Sequence, residues 1–209
     1  MLAAIRAAAN ATLLCFVAVT MPVYGVFLVT LYKGRKGKDL SGSFFRLSFV
    51  LGLFDIASTI NSYLGQRAFA VVTPLYELGG SALAKVVLIV AWYTRFCQTM
   101  CVTLLAVNRF VAVWMPVQSR TLWSRPSIAT VTKVVQFVFG LLFVSPMFFS
   151  SSYYYEYSQD NSTALPVIGD LELKGYLWLY GFLLEVCMAT SIAVLYCLIF
   201  GRVWRNNKE

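Results

Sequence analysis

The sequence predicts an all-α membrane protein, and three observations carry that prediction. Five apolar stretches are each long enough to cross a bilayer, at about 20 residues per helical crossing. Of the 209 residues 59% are hydrophobic and only 12% charged, where a soluble domain carries about 25%. The charges also alternate in sign from one connection to the next. The spans read as residues 11–32, 44–65, 82–114, 128–150 and 176–201, forming one multi-pass domain over residues 1–209.

The first span exceeds the 7–15 residues or so of a secretory h-region and ends in Lys33, Arg35 and Lys36. It reads as a retained helix. The second span carries Asp55, and the third carries Arg95 and Gln98. Trp92, Arg95, Thr99, Val102, Ala106 and Arg109 recur at three- and four-residue steps, so this stripe is expected to face the bundle. Pro22 and Pro146 remove a backbone donor inside the first and fourth spans and can kink them. Residues 151–175 form the one long connection, opening with Tyr153, Tyr154, Tyr155 and Tyr157. The default reading is an interfacial tyrosine belt, with a ligand lid as a second reading. The fifth span carries Glu185.

The net charge of +8 does not point to nucleic acid, because of where the charge lies. Lys33, Arg35, Lys36, Lys38 and Arg46 lie between spans one and two. Arg109, Arg120, Arg125 and Lys133 lie around the next connection on that side, and Arg202, Arg205 and Lys208 follow span five. That is 12 of the 17 basic residues, and their retention predicts a cytoplasmic side with the N-terminus outside. These loops would meet anionic lipid, and a G protein would meet the same surface. Glu77, Glu156, Asp160, Asp170 and Glu172 fall on the other side, as do the sequons at Asn10 and Asn161. Asn161 is the better glycosylation candidate, because Asn10 lies close to the bilayer.

The five cysteines all fall inside apolar spans and read as small buried residues with free thiols. With no histidine and no zinc spacing, neither a metal nor a cofactor is expected. The absence of Gly-x-Ser-x-Gly and of a phosphate loop argues against an enzyme.

Ionisable groups at membrane depth are costly and usually face the bundle interior. Helix rise puts Arg95 about 14 Å, Glu185 about 15 Å and Asp55 about 13 Å below the outer boundary. Arg95 is therefore expected to pair with Glu185 or with Asp55.

Leu-Ala-Val-Asn108-Arg109-Phe110 closes span three, Pro116 and Trp123 follow, and Gly52-Leu-Phe-Asp55-Ile lies in span two behind Ser-Gly-Ser-Phe-Phe-Arg46. Together these resemble the nematode serpentine chemoreceptors, especially the class gamma and class V groups. The resemblance covers essentially the whole chain. It implies a rhodopsin-like seven-helix G-protein-coupled receptor, of which this chain holds five helices. It implies a heterotrimeric G-protein partner contacting Asn108, Arg109 and Phe110, and a small-molecule ligand near Ala91, Trp92, Arg95 and Glu185. Asp55 and Gln98 would form the polar core. Asn108 stands where an acid usually pairs with Arg109, so the resemblance implies either a different restraint or a less tightly held resting state. Residues 151–175 contain no cysteine for the usual tether to the top of helix three. The chain is expected to be a receptor cut off before helices six and seven. The first functional reading is a chemosensory receptor in the plasma membrane. The alternatives are a small transporter or channel, and a non-signalling membrane fragment pairing with full-length receptors.

Overall fold

The computed structural model describes residues 2–34, 42–63, 65, 73–157 and 164–207. Within them lie six helices and one two-stranded sheet: α1 Leu2–Gly34, α2 Ser43–Ser62, α3 Thr73–Trp114, α4 Pro116–Ser124, α5 Pro126–Phe149, β1 Tyr153–Tyr157, β2 Ala164–Ile168 and α6 Leu171–Asn206. Five of these helices are long and apolar enough to span a membrane: α1, α2, α3, α5 and α6. Asn161, Asp160, Arg35, Lys36, Lys38 and Lys208 lie outside the described residues.

The helices follow the expected order; α1, α3 and α6 begin earlier than the apolar pattern suggests, and α6 also ends later. α3 begins at Thr73 and breaks at Gly80, whose φ of 45° and ψ of −131° suit a residue without Cβ. α4 was not expected. Pro116 sits in its first turn, where the missing N–H costs nothing, and Arg125 is extended before Pro126, which separates α4 from α5.

α3 is the hub. It packs against α2, α5, α6, α4 and the sheet, while α1 reaches the bundle through α2. It meets α5 closely at Gly140. A Cβ there would lie 2.5 Å from Cys97 Sγ and 2.9 Å from the carbonyl oxygen of Tyr93. The carbonyl belongs to backbone and cannot swing aside, so Gly140→Ala is expected to cost about 1–3 kcal/mol. A drop in the thermal midpoint of the purified chain, several degrees beyond that of the control Leu142→Ala on the exposed face of α5, measures it.

The connection between α5 and α6 departs from the expected tyrosine belt. It folds as an antiparallel hairpin with Tyr153 opposite Ile168 and Tyr157 opposite Ala164. Strand alternation sends Tyr153 and Tyr155 into the core and leaves Tyr154 outside, while Tyr157, on the inward face but at the end of the strand, is exposed. Tyr153 and Tyr155 join Ala84 of α3, Val144 and Met147 of α5, and Leu173 and Leu177 of α6. Lys85 of α3 fastens this end. Its Nζ donates to the carbonyls of Phe148 (2.9 Å) and Ser150 (2.8 Å) and lies 5.4 Å from the Tyr153 ring centre. A cation on the unpaired carbonyls of a helix C-terminus is favourable by hydrogen bonding and by the helix dipole. Tyr153 donates its hydroxyl to the carbonyl of Met147 at 2.8 Å, and burial pushes that hydroxyl's pKa up, keeping it a donor. Asp170 caps α6 by accepting from the backbone N–H groups of Glu172 and Leu173.

The cysteine expectation divides. All five are free thiols, but only Cys97 and Cys101 are buried; Cys15, Cys187 and Cys197 are exposed on outward helix faces. Apolar span composition cannot distinguish a core face from a lipid face, because both are apolar.

Candidate functional site

α3 carries three polar layers, one below another. In the first, Arg95 grips Glu185 of α6 in a two-pronged ion pair: Nε donates to Oε1, and Nη2 donates to Oε2 at 2.7 Å. Parallel N–H donors on a planar carboxylate make this a strong and directional geometry. The Arg95 guanidinium carbon lies 5.7 Å from the Trp92 ring centre. Trp92 stacks on Phe96 and meets Trp178 of α6 edge-on at 6.0 Å. Ala91 and Trp92 are half-buried. The pair is not sealed: the side chains of Arg95 and Glu185 are 54% and 31% exposed, so a ligand or a further protein segment can reach them.

One turn further along α3, Gln98 donates to Asp55 Oδ1 of α2 at 2.7 Å, and Tyr24 of α1 donates its hydroxyl to Oδ2. Asp55 therefore joins three helices and does not pair with Arg95. A cavity of about 200 Å³ borders this layer, lined by Met21, Tyr24, Asp55 and Thr59 among others.

The third layer lies where α3 ends, about 16 Å of helix beyond Gln98. Buried Asn108 donates to the Ser43 hydroxyl of α2 at 2.6 Å. Arg109 donates from Nη1 to the Tyr196 hydroxyl of α6 at 3.0 Å, with its guanidinium carbon 4.9 Å from the Phe44 ring centre and 5.9 Å from that of Tyr196. These contacts hold Arg109 against α6 and α2. Phe110 stacks on Trp114, one turn along its own helix.

The expected inward stripe of α3 needs correction. Val102, Arg95 and Arg109 are accessible, whereas Phe96, Cys97, Cys101 and Asn108 are buried beside Ala106. α2 and α5 cover a face rotated from the stripe, and α6 covers only its flank. The charges thus lie along the α3–α6 seam. Reading the sequence for ionisable groups also missed neutral polar partners. Asn61 donates to the carbonyl of Val87 at 2.9 Å, and fully buried Gln136 donates to Cys101 Sγ at 3.3 Å. Tyr24, Ser43 and Tyr196 were missed as well. An amide within an apolar run was the signal available for Asn61 and Gln136; nothing in the run marks which tyrosine turns inward.

The fold and its buried polar layers define a helical multi-pass membrane protein. Residues 13–209 match the model of the family described as serpentine type seven-transmembrane G-protein-coupled chemoreceptor Srv. The chain belongs to that Srv family of serpentine receptors. It is also 26% identical over 191 residues to the serpentine receptor class V-1 of Caenorhabditis elegans, covering 88% of this chain and 60% of that protein. The chain thus spans about three-fifths of the length of this curated relative.

Proposed function

We propose that the chain is the ligand-reading and signal-transmitting part of a chemosensory G-protein-coupled receptor, seated in the plasma membrane with its N-terminus outside. The observation that carries this reading is that two contacts join the same pair of helices at opposite depths. Arg95–Glu185 ties α3 to α6 near the hairpin end, and Arg109–Tyr196 ties them again at the basic end. A small molecule binding beside Trp92, Ala91 and the open ion pair would change how α6 lies on α3. Arg109 would then leave Tyr196 and meet the G protein together with Asn108 and Phe110. Such a ligand shifts the balance only through unequal affinity for the two arrangements. The Asp55–Gln98–Tyr24 layer lies between these contacts and acts as the polar core. Asn161 is the glycan acceptor on the outer side. The receptor lineage of the family and of its relative supports this reading over an enzymatic one.

The test is a G-protein reporter assay in cells expressing the receptor that carries this sequence, with surface expression measured in parallel. Arg109→Gln should abolish the response without lowering surface expression. Tyr196→Phe, which removes only the acceptor, should raise basal output by about five-fold, the value of one net hydrogen bond. Full signalling by Arg109→Gln would sink the proposal.

A further inference from the structure

Three cavities at the basic end of the bundle share one residue, Arg46. The most membrane-directed of them, about 250 Å³, opens between α2 and α5 and is lined by Arg46 and Lys133 with Leu31, Phe49, Val50 and Phe137. Both helices run inward from this end. Val50 therefore lies one turn, about 5.4 Å, deeper than Arg46, and Phe137 one turn deeper than Lys133. The cleft has two cations at its mouth and an apolar floor pointing toward the middle of the membrane.

No carboxylate is among the described residues lining this cleft or the adjoining ones. Lys133 has no hydrogen-bond or ion-pair partner among the described residues, and Arg46 donates only to the carbonyl of Trp123, at 3.3 Å. Two cations without a carboxylate, facing a low-dielectric groove, are costly. One group answers both: a phosphate, which only accepts hydrogen bonds and is negative. The apolar floor specifies the rest of the molecule. A free anion would leave it empty, whereas an acyl chain would fill it.

We propose that this cleft is a binding site for a single anionic phospholipid of the adjoining leaflet. The headgroup phosphate lies between Arg46 and Lys133, and an acyl chain runs along Phe49, Val50 and Phe137. A zwitterionic lipid carries its own cation beside the phosphate and fits less well. The site does not depend on any ligand at the opposite end of α3.

The experiment is native mass spectrometry of the purified chain released from nanodiscs of phosphatidylcholine with a minor share of phosphatidylglycerol, counting retained anionic lipid. Lys133→Gln should lower retention of one phosphatidylglycerol by about five-fold, the value of one basic residue at a membrane surface. It should fold normally, since Lys133 is exposed and unpartnered. Arg205→Gln, an exposed base at the same end and outside the cleft, should leave retention unchanged. Lys133→Arg should keep it. Equal losses in Lys133→Gln and Arg205→Gln would mean diffuse surface charge and overturn the proposal. So would displacement of the lipid by soluble glycerol phosphate, because the apolar floor would then contribute nothing.

Discussion

Glu185→Leu should destabilise the chain by about 2 kcal/mol, and adding Arg95→Met should restore most of that loss. The single change leaves a guanidinium at membrane depth with no partner, where insertion scales put an arginine at about 2.5–3.5 kcal/mol. The lower figure is expected because Arg95 is half-exposed and can draw its charge toward water. The double change removes both charges, and replacing an ion pair by apolar residues is often neutral or better. Thermal unfolding of the two singles and the double in one detergent gives the coupling directly. The double variant also separates structure from function. It should be stably expressed and yet silent to ligand if the pair is what a ligand engages. A stable double variant that still responds would make the pair a packing feature. Equal destabilisation by the double and by Glu185→Leu would show that the two charges are not coupled.

Lys85→Met should free the hairpin from the top of α3. The substitution keeps most of the length of the side chain and removes the charge, leaving the carbonyls of Phe148 and Ser150 without their donor. Hydrogen bonds involving a charged group are worth about 1.5–3 kcal/mol each, and the ammonium also sits against the Tyr153 ring. The expected loss is about 2 kcal/mol, confined to this end. Hydrogen exchange should therefore rise at least about ten-fold in Tyr153–Tyr157 and Ala164–Ile168 while α2 and the middle of α3 stay protected. Lys85→Arg should keep part of the protection. Uniformly faster exchange across the bundle would mean that Lys85 stabilises the whole fold, and no change would mean that the buried tyrosines hold the hairpin alone. Lys85 thus has a specific standing in this chain. Residues 151–175 hold no cysteine, and a side-chain ammonium holds the start of that segment to α3 through Ser150 just before it and the Tyr153 ring within it.

The sequence by itself determined the membrane class, the number and order of the five spans, and the common level of Arg95 and Glu185. Those follow from quantities that add along a chain: apolar length, charge count and helical rise. The rise alone placed Arg95 level with Glu185, and the pattern around Asn108 and Arg109 placed the chain in its family. What it left open was every choice between alternatives of equal composition. Two acids lay within reach of Arg95, and only the packing of α6 along α3 gave it Glu185, leaving Asp55 to Tyr24 and Gln98. The tyrosines of β1 looked alike until a strand turned alternate ones inward. The apolar stripe of α3 could be located but not oriented, because lipid and protein core present the same apolar solvent to a helix face. In water the buried face of a helix announces itself by hydrophobicity. In a bilayer it is marked by small residues and neutral polar groups such as Gly140, Asn61 and Gln136, and only the tertiary structure shows which of them meet a partner.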